Sequence, residues 1–174
     1  MSLCNIRNLS KSYPSFALSD ISFELNAGRI MGFIGRNGAG KTTTIKSVLG
    51  FVHPDCGEIC YFGLPFSENE REIKQRIGFS TGAVNYYPKK KIKDIVAITK
   101  TFYQNWDETA YREYLELFST HITSDIEKCA DDIMYIRKGR LIANCSKDEF
   151  CENYCKDGET LEEAILRMER EEKV

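Results

Sequence analysis

The first third of the chain alternates apolar and polar residues with the period of β-strands. Residues 3–9 have the sequence Leu-Cys-Asn-Ile-Arg-Asn-Leu and residues 21–25 have Ile-Ser-Phe-Glu-Leu, so each segment predicts a strand with one face in the core. Residues 10–14 lie between them and predict a turn that carries an exposed Tyr13 ring. The alternation returns at residues 58–62. These segments predict an antiparallel β part.

Apolar residues at helical spacing dominate the middle of the chain. Residues 42–49 predict a helix, and residues 69–76 predict a charged helix that leads into a short strand at 77–79. Residues 89–103 carry apolar side chains close to helical spacing, and Asp107 is placed to cap a further helix. We expect the apolar and aromatic side chains of these last two helices to be core residues of a small helical insertion.

The C-terminal part contains signals for a hairpin and two capped helices. Residues 133–143 consist of two apolar runs around a Lys-Gly-Arg turn, which predicts a β-hairpin. Ser146 and Glu149 form a capping box, in which each residue can bond the backbone N–H of the other. Thr160 and Glu163 form a second one. We expect each box to open a helix.

Residues 35–42, Gly-Arg-Asn-Gly-Ala-Gly-Lys-Thr, match the phosphate-binding pattern G-x-x-x-x-G-K-[ST] between an apolar strand predicted at 30–34 and a helix. The glycines let successive backbone N–H groups turn inward around an anion. Lys41 supplies a positive charge to the β- and γ-phosphates, and the Thr42 hydroxyl, at the positive end of the helix dipole, is placed to ligate Mg²⁺. The alternative is a glycine-rich turn before an amphipathic helix. The residues predicted to hold a nucleotide are Gly35, Arg36, Asn37, Gly38, Ala39, Gly40, Lys41, Thr42 and Thr43.

Length and charge narrow the class of protein. A chain of 174 residues with 42% hydrophobic content predicts one compact α/β domain. The formal net charge of −2 gives no field that would attract nucleic acid, so we expect no nucleic-acid partner. No stretch is long enough to cross a bilayer and no signal peptide is apparent at the N-terminus, so we expect a protein that stays inside the cell.

The cysteines and histidines do not form a metal-binding pattern. The seven cysteines include no C-x-x-C pair, and the two histidines, His53 and His121, are not at zinc-finger spacing. We expect reduced thiols, as in a cytosolic protein.

These pieces together resemble the ATP-binding subunit of an ATP-binding cassette (ABC) transporter. Tyr13, ahead of the phosphate loop, matches the aromatic residue that stacks on adenine in that family. The Ser-Thr-His sequence that ends at His121 matches the family's switch-histidine loop. The Asn-Trp-Asp sequence that ends at Asp107 is similar to the branch that includes bacterial antibiotic-export and bacitracin-resistance ATPases.

The resemblance implies a P-loop NTPase core that binds ATP with Mg²⁺. It implies that Tyr13 stacks on adenine, that residues 35–43 hold the phosphates and Mg²⁺, and that His121 acts in catalysis by sensing the γ-phosphate. The implied partners are a transmembrane subunit of the transporter and a second ATP-binding subunit, in a homo- or hetero-dimer. Such a chain would lie in the cytoplasm, peripheral to the inner face of the membrane.

The resemblance also implies a layout for a single domain over residues 1–174. Residues 1–80 would form the P-loop and antiparallel β part, residues 81–118 a partial helical subdomain, and residues 119–174 the switch-histidine loop and C-terminal part.

The family's order includes elements that this sequence lacks. Between Phe118 and Ser119 the family has an L-S-G-G-Q-like signature and an apolar strand ending in Asp-Glu, and neither occurs here. Asp131 and Asp132 form an adjacent acidic pair, but they precede the apolar residues 133–136 instead of following them. We therefore expect an internal deletion between Phe118 and Ser119 and an incomplete parallel sheet.

Three interpretations of function stay open at this point. The first is an ABC-transporter ATP-binding subunit that hydrolyses little or no ATP alone, because the metal-binding Asp, the catalytic Glu and the signature are missing. The second is a non-catalytic ATP-binding or regulatory subunit that associates with an intact partner, and the third is a truncated gene product without function. A GTPase or small-molecule kinase fits less well, since the sequence has no N-K-x-D motif.

Overall fold

The computed structural model describes residues 2–79, 91–112, 130–156 and 158–170. The chain divides into two units, one made of residues 1–66 and 124–174 and the other of residues 67–123. The strands found in the described residues are β1 (Ser2–Tyr13), β2 (Phe16–Asn26), β3 (Met31–Ile34), β4 (Cys56–Tyr61), β5 (Leu64–Pro65), β6 (Asp132–Arg137) and β7 (Arg140–Ser146). The helices are α1 (Lys41–Val48), α2 (Phe66–Lys74), α3 (Ile92–Lys100), α4 (Lys147–Tyr154) and α5 (Leu161–Arg170).

Four strands of the first unit form an antiparallel sheet in the order β2-β1-β4-β5. β1 and β2 stay paired to the tip of their hairpin, where Tyr13 lies opposite Phe16. The turn predicted at residues 10–14 is therefore wrong in position. A residue distant in sequence contributes to this: the Asp55 carboxylate accepts the backbone N–H of Ser12 at 2.8 Å and continues the bonding of β1 beyond the start of β4.

The second sheet of this unit has the order β3-β6-β7, with β3 parallel to β6 and β6 antiparallel to β7. Met31 lies opposite Asp132, and Ile34 lies opposite Tyr135. Within the described residues β3 forms one edge of this sheet, and its pairing with β6 is the only parallel one. The predicted α/β fold, with an antiparallel β part and an incomplete parallel sheet, is confirmed.

A buried cluster joins the β3-β6-β7 sheet to the two C-terminal helices. Tyr135 on β6 meets Phe150 on α4 edge to face, with ring centroids 6.4 Å apart, and both side chains are fully buried. Burying an aromatic side chain of this kind contributes about 1.5–3 kcal/mol relative to leaving it exposed. Ile133 on β6 and Leu161 on α5 belong to the same cluster.

At the starts of these helices, the predicted capping box of Thr160 is confirmed in both directions, and that of Ser146 in one direction. The Ser146 hydroxyl accepts the backbone N–H of Glu149 at 3.2 Å. The Thr160 hydroxyl accepts the N–H of Glu163 at 3.2 Å, and the Glu163 carboxylate accepts the N–H of Thr160 at 2.9 Å.

The second unit consists of helices in its described part. The Asp107 carboxylate accepts the backbone N–H groups of Thr109 at 2.8 Å and Ala110 at 3.0 Å, so the predicted cap is confirmed, and residues 108–112 are helical. Residues 77–79 are not a strand, contrary to the prediction. A three-residue apolar run indicates a strand only where a neighbouring strand pairs with it, and none does so in the described chain.

The expectation that the apolar residues of the predicted helix 89–103 are core residues is wrong for two of them. Ile98 is 57% exposed and Phe102 is 68% exposed. Helical spacing identifies a common face of a helix, but it does not determine whether another element covers that face.

In the described ranges every helix is too short or too polar to cross a lipid bilayer.

Candidate nucleotide-binding site

The phosphate loop, defined here as residues 35–40, joins the C-terminal end of β3 to the start of α1. Gly35 has φ 151° and Gly40 has φ 116°, in a backbone region that favours glycine. A Cβ built on Gly35 would lie 2.2 Å from the carbonyl oxygen of Ile136 on β6. A Cβ on Gly40 would lie 2.9 Å from the Leu18 side chain. Backbone conformation favours glycine at both positions, and at Gly35 a collision with backbone also excludes a larger residue.

The start of α1 is suited to an anion. Gly40 is its N-cap, no described side chain caps the helix, and its first turn carries no acidic residue. The backbone N–H groups of a first helical turn carry the positive end of the helix dipole. Thr42 is exposed and Thr43 is half-buried in this turn, while the Thr44 hydroxyl is buried and donates to the Gly40 carbonyl at 3.0 Å.

The Lys41 ammonium lies against the beginning of the loop. It donates to the carbonyl oxygen of Arg36 at 2.9 Å and also to that of Gly35. The loop is thus folded around the positive charge of its own lysine. A phosphate seated at the start of α1 would be within the field of this ammonium.

Tyr13 stands on the hairpin that flanks the loop. Its side chain is 42% exposed at the end of β1, and the Lys11 ammonium lies 5.9 Å from its ring centroid. Its partner across the hairpin, Phe16, reaches Gly40: a Cβ on that glycine would lie 3.1 Å from Phe16 Cζ. The tip of the hairpin and the phosphate loop are therefore neighbours in this unit, and the structure brings the two parts of the predicted site together.

The turn between β6 and β7 supports the loop from another side, and sequence reasoning missed this role. The Gly139 N–H donates to the Ala39 carbonyl at 2.8 Å, and the Gly139 carbonyl accepts the Ser19 N–H at 2.8 Å. A Cβ on Gly139 would lie 1.8 Å from the Ala17 carbonyl oxygen. The Lys-Gly-Arg turn predicted the hairpin, but nothing in its local pattern indicates contact with residues 100 positions away.

The acidic pair Asp131 and Asp132 lies at the opposite ends of the strands. The Arg29 guanidinium donates to the two carboxylate oxygens of Asp132 at 2.6 and 2.5 Å, which holds the pKa of that carboxyl below its ordinary value. Asp131 accepts the backbone N–H of Ile30 at 2.8 Å. These contacts fix the pair at the N-terminal ends of β3 and β6, about 10 Å of strand away from the loop. Neither carboxylate is placed to act on a phosphate there.

Two further predicted site residues are Thr42, the proposed metal ligand, and His121. Thr42 is an exposed residue with a hydroxyl, and Mg²⁺ binds readily with one or two protein ligands together with substrate phosphates and water. The described parts of the chain contain no cluster of three or more His, Cys, Asp or Glu side chains that could hold a metal ion. His121 lies outside the described residues.

The parallel strand, the glycine loop and the helix that begins with Lys41 and Thr42 define a P-loop nucleotide-binding protein. Residues 18–153 match the ABC transporter family, and the chain therefore belongs to that family. Among curated relatives, it is 36% identical over 111 residues to the bacitracin transport ATP-binding protein BcrA of Bacillus licheniformis, an alignment that covers 63% of this chain and 36% of BcrA. It is 33% identical over 100 residues to the Nod factor export ATP-binding protein I of Burkholderia orbicola (strain AU 1054), covering 57% of this chain and 33% of that protein. The chain thus spans about a third of the length of these relatives.

Solved structures show the same fold. An ATP-binding subunit of an ABC transporter superposes with a TM-score of 0.77 at 17% identity, over 97% of this chain and 100% of the other. The ATP-binding cassette MJ1267 superposes with a TM-score of 0.59 at 14% identity, over 97% of this chain and 99% of the other. At these identities the likeness concerns the fold alone.

Proposed function

We propose that this chain is an ATP-binding subunit of an ABC transporter that binds ATP with Mg²⁺ and energises transport through a separate membrane subunit. The observation that carries the proposal is the conformation of the phosphate loop. Gly35 and Gly40 sit where a Cβ would come too close to β6 and β2, and the Lys41 ammonium lies over the loop backbone.

The proposal assigns a role to the phosphate loop and to four other residues. Residues 35–40 offer backbone N–H groups to the phosphates, and Lys41 neutralises charge on the β- and γ-phosphates. The Thr42 hydroxyl contributes one ligand to Mg²⁺, which supplies further charge neutralisation when bound. Tyr13 stacks on the adenine ring beside the loop. His121 is proposed to contact the γ-phosphate on the basis of its Ser-Thr-His sequence.

We further propose that the chain alone hydrolyses ATP at or near the background rate. Phosphoryl transfer depends on positioned charges and an oriented water. In the family, a strand that ends in Asp-Glu supplies the catalytic carboxylate. The acidic pair Asp131 and Asp132 cannot take that place, because Arg29 and the Ile30 N–H hold it at the far end of β3. The loss of a single member of a catalytic unit commonly lowers the reaction rate by a factor of about 10² or more.

The proposed partners follow from the family. In this proposal the chain works as a homo- or hetero-dimer of ATP-binding subunits on the cytoplasmic side of a membrane subunit, and it has no nucleic-acid partner. The layout of 1–80, 81–118 and 119–174 within one domain is part of the same proposal. A non-catalytic subunit that lends its phosphate loop to an intact partner is a second candidate, favoured by the position of Asp131 and Asp132.

A titration tests nucleotide binding directly. MgATP is titrated by calorimetry into the native chain, into Lys41→Ala and into Lys46→Ala. Lys46 lies on the same helix with an exposed side chain, so its substitution makes the same change of charge away from the loop. We expect Lys41→Ala to lose binding and Lys46→Ala to keep it. Equal binding by the native chain and Lys41→Ala would show that the loop is not the nucleotide site.

A further inference from the structure

The Phe16 ring fills a space between two segments that meet at the phosphate loop. A Cβ on Gly40 would lie 3.1 Å from Phe16 Cζ, and a Cβ on Gly139 would lie 3.3 Å from Phe16 Cε2. Gly40 has φ 116° and Gly139 has φ 77°. One half-buried ring therefore rests on two glycines, each of which has a backbone conformation that other residues rarely adopt.

Both glycines act on the backbone at Ala39: Gly40 follows it in the chain, and Gly139 is hydrogen-bonded to it. Gly40 is the N-cap of α1, so its conformation sets the direction of the helix start. The Gly139 N–H donates to the Ala39 carbonyl at 2.8 Å. The Phe16 backbone is anchored in turn, because it pairs with Tyr13 at the tip of the hairpin. The ring thus connects the hairpin tip, the helix start and the turn between β6 and β7.

We propose that Phe16 is a positioning residue for the phosphates of the nucleotide, an inference that rests on the proposed nucleotide site. Backbone N–H groups bind a phosphate well only when they converge on it, and small misplacements of a binding group cost large factors. Glycine is the residue least able to hold its own conformation, so Gly40 depends on the packing around it. Phe16 supplies part of that packing from the hairpin tip, beside Leu18 and Ile136, and in this proposal it acts through the loop rather than on the ligand.

The first test compares affinities for a nucleotide and for a phosphate chain without a base. MgATP and magnesium tripolyphosphate are titrated against the native chain, Phe16→Ala, Phe16→Leu and Phe23→Ala. Phe23 is the matched control, since it is a half-buried phenylalanine on the same strand and pairs with Ile6 in the sheet. We expect Phe16→Ala to weaken both ligands by about 10- to 100-fold. Phe16→Leu should recover most of the affinity, and Phe23→Ala should bind both ligands as the native chain does.

The second test needs no ligand. Amide hydrogen exchange is measured at Gly139, whose N–H bonds the Ala39 carbonyl, and at Thr44, whose N–H bonds the Gly40 carbonyl at 2.9 Å. We expect both amides to exchange faster in Phe16→Ala, with an intermediate effect in Phe16→Leu and none in Phe23→Ala. Because Phe16→Leu retains most of the side-chain volume, it gives the same comparison if Phe16→Ala does not fold.

The outcomes separate this inference from the proposed function. If the native chain binds no nucleotide, the proposed function fails, and the exchange rates still decide whether Phe16 holds the loop. Native-like exchange at both amides in folded Phe16 variants would overturn the inference. So would a loss of affinity for MgATP with unchanged affinity for tripolyphosphate, because it would assign the ring to the base and not to the phosphates.

Discussion

Gly35 and Gly38 of the phosphate loop both have a positive φ but have different surroundings in the structure. Gly35 has φ 151°, and a Cβ there would lie 2.2 Å from the backbone carbonyl of Ile136. Gly38 has φ 82°, and a Cβ there would meet no atom within 4 Å. Alanine substitutions at the two positions therefore separate the cost of backbone conformation from the cost of a collision.

The expected magnitudes follow from these two costs. A non-glycine residue in a sparsely populated backbone region costs about 1–3 kcal/mol, and both variants carry that cost. Bulk forced into a packed site costs about 1–3 kcal/mol more, and this applies to Gly35→Ala alone. Ile136 pairs with Leu141 on β7, so moving its carbonyl away would disturb that pairing. We expect the free energy of unfolding of Gly35→Ala to lie about 1–3 kcal/mol below that of Gly38→Ala.

Urea denaturation followed by far-ultraviolet circular dichroism, without nucleotide, measures this difference. In a thermal melt, the same difference corresponds to a midpoint about 2–12 °C lower for Gly35→Ala, because each kcal/mol shifts the midpoint by about 2–4 °C in a chain of this size. If Gly38→Ala were as destabilised as Gly35→Ala, the packing of the loop against β6 would be wrong and backbone conformation alone would account for both glycines.

Four further results are expected. Phosphate release by the pure chain should stay at background at every protein concentration; turnover that rises with concentration and vanishes in Lys41→Ala would contradict this. Tyr13→Ala should weaken MgATP and MgGTP together by about 1–3 kcal/mol, because ring stacking reads the base poorly, and a loss confined to ATP would point to hydrogen-bonded recognition instead. Arg29 lowers the pKa of Asp132 in the folded chain, so the stability this pair contributes is present above the ordinary carboxyl pKa of about 3.9 and is lost as the pH falls through the lower folded value. Asp132→Asn should therefore be less stable than the native chain at neutral pH and converge with it in acid, and parallel curves of stability against pH would refute the pairing. The Ser47 hydroxyl is buried with no hydrogen-bond partner among the described residues, so Ser47→Ala should leave the urea midpoint unchanged or raise it, and a clear fall would reveal a partner.

The parts of the site that follow one another in sequence could be predicted from the sequence. Residues 35–42 carry their own geometry, because the glycines, Lys41 and the start of α1 are adjacent and their spacing fixes the chemistry. The capping boxes at Ser146 and Thr160 were predictable for the same reason, since each bonds a partner three residues away.

Contacts between distant segments could not be predicted. Nothing near Gly139 in the sequence indicates that its N–H bonds the Ala39 carbonyl, or that Phe16 packs between Gly139 and Gly40. The length of β1 depends in the same way on Asp55, which bonds the end of that strand from a separate loop. The exposure of Phe102 depends on whether another element covers it, and periodicity carries no information on that point.

Strand direction supports the proposal that this chain binds a nucleotide but hydrolyses little or none of it. In α/β sheets, ligands bind beyond the C-terminal ends of the parallel strands. At that edge β3 leads into the phosphate loop, and β6 supplies the Ile136 carbonyl against Gly35. Within the described residues, these contacts and those of the β1–β2 hairpin hold the loop in a sheet that has two parallel strands. Hydrolysis requires in addition a carboxylate at the same edge, but β6 ends there in the basic residue Arg137, while its acidic pair lies at the opposite end, with Asp132 bound to Arg29. We therefore expect that moving an acidic residue to the loop's edge of the sheet, and not strengthening the loop itself, is what turnover by this chain would require.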